Sequence, residues 1–151
     1  MAETYIKVQG KWRYVYRAVD KQGNTVDFLL TKHKQRMSAQ SFLIKAIEGN
    51  GLSEIINIDK SGANISAIKT FNKRSFSRIE IRQCKYLNNI VEQDNRFIKR
   101  RISSGLGFKE FESAKRKIAG IEVVRMIQKK QMDYKSASTF KSFCSWLLKS
   151  F

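Results

Sequence analysis

Lys85-Tyr86-Leu87-Asn88-Asn89-Ile90-Val91-Glu92-Gln93-Asp94-Asn95-Arg96-Phe97-Ile98-Lys99-Arg100-Arg101 contains neither Pro nor Gly and carries apolar residues at helical spacing. That spacing predicts one long helix. At about 100° per residue, Tyr86, Leu87, Ile90, Val91, Phe97 and Ile98 fall within one arc, and Glu92 lies opposite its centre. Lys85, Asn88, Arg96 and Lys99 share the polar face, because residues three, four or seven apart stack along a helix. One acid is thus set among cations and amides. Such a face is either a solvated surface with ordinary ion pairs or one part of a site whose other carboxylate lies elsewhere. Asp94 projects onto the apolar arc, where an acid needs a partner, and reads as structural.

Upstream of this helix, Glu3 to Val8, Trp12 to Val19 and Thr25 to Leu30 alternate with period two and are separated by turn residues at Gln9-Gly10 and Asp20 to Asn24. They predict three successive antiparallel strands. From Ser38 the spacing of Ala39, Phe42, Leu43, Ala46 and Ile47 changes to that of a helix with a Ser cap, ending near Gly49-Asn50-Gly51. Ile55-Ile56-Asn57-Ile58 is a short apolar run of the kind found in buried parallel strands, and Asp59 closes it. In open α/β sheets the carboxyl ends of strands collect ligands, which makes Asp59 a candidate site residue. A further helix is expected over 61–72, a last strand over 78–81 and a long helix over 108–131. In the last, Gly120 costs about 1 kcal/mol relative to Ala and reads as a close helix contact. The tail 132–151 predicts an amphipathic helix through Phe140, Phe143, Cys144, Leu147 and Phe151, suited to docking on its own domain or a second copy ahead of a membrane.

The 151 residues suit one domain, with 42% hydrophobic content for its core. Thirty Lys plus Arg against thirteen Asp plus Glu give a net charge of +17, which favours a polyanionic partner: nucleic acid first, an anionic membrane surface second. A basic protein that binds phosphate backbone without chemistry fits the same composition. Cys84 and Cys144 lack metal-ligand spacing and His33 is the single histidine, which argues against zinc and histidine catalysis. A metal would be held by carboxylates and water, as suits Mg²⁺ or Mn²⁺. No apolar run approaches the roughly 20 residues of a membrane span, and the cytoplasm is the default location.

The order β-β-β-α-β-α-β-α, with acids near the first strand, after the fourth and on a following helix, is that of ribonuclease-H-like nucleases: a mixed five-stranded α/β sheet with flanking helices. Thr4-Tyr5-Ile6-Lys7-Val8, Gly10-Lys11-Trp12-Arg13-Tyr14-Val15-Tyr16-Arg17-Ala18-Val19-Asp20, Lys85 to Asp94 and Gly120-Ile121-Glu122 closely resemble DDE transposases of bacterial insertion sequence family six. The resemblance covers residues 2 to about 131. It implies a catalytic domain that binds insertion-sequence ends and target DNA in a homo-oligomeric complex at the bacterial nucleoid. Its activity would be DNA strand cleavage and transfer with two divalent metals held by three carboxylates. Asp59 matches the family's second Asp and Glu92 its Glu; Lys99 matches a basic position the family places beside the DNA, and Lys85, Asn88 and Arg96, on the same polar face, are expected to contact DNA with it. The first Asp belongs immediately before Glu3, where this chain has Ala2.

Two metals clamp the attacking and leaving oxygens of an in-line displacement about 3.5 to 4 Å apart, and one acid must bridge them. Glu3 cannot stand in, because adjacent strand residues point to opposite faces. Reduced activity is therefore expected of this form; full activity would imply another third acid, such as Asp20 on the neighbouring strand. The proline usual after the second Asp is also missing. The helix-turn-helix region of the family is expected to be absent, the chain beginning within the first strand. A non-catalytic DNA-binding or dimerising remnant that modulates a complete transposase is the alternative. An RNA-binding protein is a third reading, for which Trp12, Tyr14 and Tyr16 would form an exposed platform rather than one face of the sheet.

Overall fold

Alternation along the first segments of the chain produces an antiparallel sheet of β1 (Ala2–Val8), β2 (Lys11–Val19) and β3 (Thr25–Thr31), paired in that order. The computed structural model describes residues 1–34, 36–59, 61–103 and 108–131, leaving the side chains of 85–88 and 103 and the expected amphipathic tail outside the described residues. Gln9 and Gly10 both take positive φ, 53° and 73°, as a tight two-residue hairpin requires. The second turn is closed by the Asp20 carboxylate, which accepts from the backbone N–H groups of Gln22 and Asn24. That carboxylate is committed to the turn.

Register decides which side chains share a face. Glu3 lies opposite Tyr16 and Ala2 opposite Arg17, so the two strands send alternate residues to two separate cores. Tyr16, with Met1, packs on Phe42 and Leu43 of α1 (Arg36–Asn50) and on Ala67 and Ile68 of α2 (Gly62–Ser75). Ile6, Val8 and Val15 point the other way, onto Ala114, Ile118 and Ala119 of α4 (Phe111–Gln128). The helix α3 (Lys85–Ser103) lies against β1, β2 and α4. Helices therefore cover both faces of the sheet.

β4 (Ile55–Asn57) and β5 (Glu80–Arg82) pair in parallel as a separate two-stranded sheet. The five expected strands are thus present in the expected order, divided into sheets of three and two. They meet where the Met1 amino group donates to the Asn57 carbonyl. Among the described residues neither short strand pairs with β1; the contact is made by β4, at Met1 just ahead of β1.

Two local expectations are corrected. Ser38 is not the cap of α1, which starts at Arg36; its hydroxyl donates back to the His33 carbonyl instead of receiving a helix N–H. Gly120 is not a close contact among the described residues, where a Cβ there would meet nothing within 4 Å. The inner stripe of α3 also differs from its apolar arc. Val91, Asp94, Asn95 and Ile98 are buried, while Ile90 sits at the rim against Gly23, whose φ is +83°.

Asp94 and Asn95 are buried because they meet Arg17. That guanidinium is fully buried on β2 and donates from Nε and Nη2 to both oxygens of Glu122, itself fully buried on α4. Nη1 donates to Asn95 Oδ1 at 2.9 Å and Nη2 also to Asp94 Oδ2 at 3.1 Å. Arg125 and Lys129 complete the shell around Asp94. Burial alone would push the Asp94 carboxyl upward, but the Lys129 hydrogen bond and the Arg17 charge outweigh it and hold it below the ordinary carboxylate range.

Arg17→Ala would leave Glu122 without a charge partner in the interior and take one of three cations from Asp94, and we expect a loss of about 3–5 kcal/mol in urea denaturation. Because folding favours ionised Asp94, the stability it contributes is complete above about pH 5 and is lost as pH falls through the carboxylate range. Asp94→Asn should flatten that acid limb. Gly120→Ala, with open space for its Cβ, should raise stability by about 1 kcal/mol in the same assay.

Candidate active site

Asp59 follows β4 and prepares the start of α2. Its Oδ1 accepts from the backbone N–H of Ser61 and from Asn64 Nδ2, both at 3.2 Å. The short loop is held by these two bonds, and Asn64 is buried on the first turns of α2. The negative charge of Asp59 is felt at the Met1 amino group, where burial pushes the pKa down to about 6 and Asp59 opposes the shift. It also reaches Tyr16, whose hydroxyl is pushed up to about 12, first by burial and then by Glu3, Tyr14 and Asp59. The end of β4 and the start of β1 therefore form one electrostatic neighbourhood.

Position 2 is the other half of this geometry. Ala2 is 5% exposed and pairs with Arg17, so its Cβ belongs to the face covered by α3 and α4. Glu3 points to the opposite face, beside Tyr16, where Lys34 bonds its Oε1. That bond, acting against slight desolvation, holds the Lys34 ammonium above its ordinary range. The alternation that bars Glu3 from replacing an acid at position 2 is thus seen directly in the register.

Glu92 is exposed on α3, as are Arg96 and Lys99. Lys85 and Asn88 lie in the first turn of the same helix, their side chains outside the described residues. Lys99 Nζ stands 4.7 Å from the centroid of the Tyr5 ring on β1. Among the described residues, no group of three or more His, Cys, Asp or Glu is arranged to hold a metal. At Tyr16 and Lys34 the charge of Asp59 is felt together with that of Glu3; the donors expected from the sequence are the carboxylates of Asp59 and, on the exposed side of α3, of Glu92, with nothing at position 2. In number and kind they fit one hard cation completed by water and fall one carboxylate short of a bridged pair.

The structure adds buried polar atoms near this region that residue spacing does not reveal. Glu3 Oε2, Tyr16 Oη and Asn64 Oδ1 are buried without a hydrogen-bond partner among the described residues. A shallow groove beside α2 is lined by Arg36, Gly62, Lys69, Thr70 and Lys73. The helical spacing of Lys69 and Lys73 was a visible signal for one wall of that groove. Arg36 joins it from α1 by donating to Thr70 Oγ1, a contact across thirty-four positions that periodicity cannot foresee.

Comparison with known proteins agrees with this architecture. A family model described as a DDE domain matches residues 1–131. The chain is 36% identical over 132 residues to the transposase for insertion sequence-like element IS431mec of Staphylococcus aureus (strain N315). It is equally similar to the transposase for insertion sequence element IS257 in transposon Tn4003 of the same species. Each match covers 85% of this chain and 56% of the relative, so the chain spans little more than half their length. Among solved structures, the HTLV-2 integrase catalytic core domain in complex with magnesium aligns with a TM-score of 0.53 at 18% identity, covering 68% of this chain and 69% of that one. The simian T-cell lymphotropic virus intasome in complex with PP2A regulatory subunit B56 gamma aligns with a TM-score of 0.63 at 16% identity, over 91% of this chain and 50% of that one. These structural matches establish a shared ribonuclease-H-like fold. With the family match spanning most of its length, the chain belongs to the DDE transposases of bacterial insertion sequence family six.

Proposed function

We propose that this domain carries the strand-cleavage and strand-transfer site of an insertion-sequence transposase, with Asp59 and Glu92 as its remaining metal-binding carboxylates. The observation that carries the reading is the alignment of α3 on the sheet. Asn95 meets Arg17, which lies opposite Ala2, and Lys99 meets Tyr5, three residues further along β1. Advancing along α3 therefore follows β1 forward. Going back one turn from Asn95, about 4.5 Å for three residues, leads to Glu92 and toward the start of β1, where Asn57 and Asp59 lie. This supports a separation of about 10 Å or less between the Asp59 and Glu92 carboxyl groups, as adjacent metals and their ligands require.

In the family's chemistry the bound Mg²⁺ or Mn²⁺ ions polarise the phosphate and activate the attacking oxygen. Asp59 presents a carboxylate oriented by Ser61 and Asn64, and Glu92 presents one from a helix anchored through Asn95 and Asp94. Ala2 supplies no donor, and a reacting group displaced by about 1 Å can cost a hundredfold in rate. We therefore infer weak metal binding and negligible strand transfer by this chain. The same observation favours the second reading, a DNA-binding or dimerising remnant that modulates a complete transposase. In either case the partner is DNA, at insertion-sequence ends and target, within a homo-oligomer acting on the nucleoid in the cytoplasm. The HTLV-2 core is described with magnesium in dimeric and trimeric forms, which is consistent with that proposal. Among the described residues no helix is long and apolar enough to cross a membrane.

Calorimetry with Mn²⁺ tests the site. Ala2→Asp should bind at least about tenfold more tightly than the chain as it stands, and Glu92→Gln should remove the gain. Robust Mg²⁺-dependent strand transfer without any acid at position 2 would overturn the assignment.

DNA contact is assigned to Lys85, Asn88, Arg96 and Lys99. Each neutralised phosphate contributes about 0.9 to the slope of log K against log salt, so Arg96→Ala with Lys99→Ala should flatten it by up to about two units. An unchanged slope would make these residues ordinary surface charges.

A further inference from the structure

Trp12 and Tyr5 sit near the β1–β2 hairpin and are 50% and 55% exposed. Tyr14 and Tyr16, which share Trp12's alternation, turn into the α1 layer, so the sheet does not need the outer pair for its core. The two exposed rings meet edge to face, with centroids 5.1 Å apart and planes at 87°. Lys7 Nζ lies 4.9 Å from the Trp12 ring centroid, and Lys99 Nζ, from α3, 4.7 Å from that of Tyr5.

A diagonal aromatic pair on a hairpin stabilises the strands, and that alone accounts for the edge-to-face contact. It does not account for ammonium groups from two different elements standing over half-exposed rings in a chain of net charge +17. Aromatic faces interleaved with lysines match the two surfaces of an unpaired nucleotide, a π-face and a phosphate. The competition also runs in that direction. A cation over an exposed ring improves its equilibrium by about two- to fivefold, whereas stacking a base on an aromatic ring is worth about fivefold to over a hundredfold. A base can displace the lysine, which is then free to meet the flanking phosphate.

We infer that Trp12 and Tyr5 form a stacking site for an unpaired nucleobase of DNA, with Lys7 and Lys99 as its phosphate contacts. Tyr5 is three residues from Ala2, about 10 Å along the strand, within a few nucleotides of the proposed site of strand cleavage. The inference rests on the DNA reading above and adds to it a preference for frayed or overhanging ends.

The test is titration of the chain carrying Trp146→Phe, which leaves Trp12 as its one indole, with a blunt duplex and with the same duplex bearing a short single-stranded overhang. The overhang should bind at least about fivefold more tightly than the blunt duplex and quench Trp12 emission. Trp12→Ala should erase the preference while leaving blunt-duplex affinity and its salt slope unchanged, and Trp12→Phe should retain part of it. Equal binding of the two duplexes, or an intact preference in Trp12→Ala, would overturn the stacking site alone. Failure to bind either duplex would overturn the DNA reading with it. The quench needs no substitution at Trp12, so it reports even if Trp12→Ala does not fold.

Discussion

A single buried guanidinium holds three elements in place. Arg17 on β2 reaches Glu122 on α4 and Asp94 and Asn95 on α3, and none of these groups has water to fall back on. Burying such charges is costly, and their mutual attraction offsets the cost only with close geometry and satisfied hydrogen bonds. The network meets that condition: both Glu122 oxygens are engaged, and Asp94 receives Arg125 and Lys129 as well. Hydrophobic contact between α3, α4 and the sheet would tolerate small rotations of either helix. A bidentate pair with a third acceptor does not, so the network supplies a helix register that apolar packing leaves soft.

The position of α3 then propagates to everything proposed for the active end of the domain. Glu92 is one turn from Asn95, and Lys99 one turn beyond it on the far side, so both inherit their placement along β1 from the Arg17 contact. The opposite boundary of the region is set independently, by Asp59 and its bonds to Ser61 and Asn64. The two halves belong to different hydrophobic cores on opposite faces of the sheet. Met1 belongs to the Asp59 half in both of these contacts, its side chain in that core and its amino group on Asn57.

Much of this architecture was legible from residue spacing, because period two and period 3.6 are local properties. The three antiparallel strands, the strand before Asp59 and the helix carrying Glu92 could all be read that way. Asp94 was legible as an anomaly, an acid on an apolar stripe. Its solution was not, since Arg17 lies seventy-seven positions away and reads simply as an outward residue in an alternating strand. The same limit hid the division of the sheet, which depends on where β4 comes alongside β1. Gly120 misled for another reason: an isolated helical glycine suggests a close approach, and the local sequence does not reveal that no described residue comes within 4 Å of where its Cβ would be. Trp12, Tyr14 and Tyr16 share one alternation, yet only the first escapes the α1 layer. That follows from how far the helix extends over the strand, which the strand's own residues do not encode. At the proposed site the resemblance to a family, more than any periodicity, singled out Ala2, Asp59 and Glu92.

The residue at position 2 bears on stability as well as chemistry. Its Cβ is buried on the α3-facing side, and its cross-strand partner is Arg17, whose guanidinium already bonds Glu122, Asp94 and Asn95. A carboxylate introduced there would compete for Arg17 or stand unpaired, and an unpaired buried acid is costly unless a cation neutralises it. Alanine removes that demand and leaves the network undivided. On the proposed reading of position 2, alanine there would relieve the folded domain while withholding a metal ligand, a trade of function for stability. The ionic clamp at Arg17 does not depend on an acid at position 2, and so a chain with Ala2 keeps the fold of its family whether or not that position once held a carboxylate.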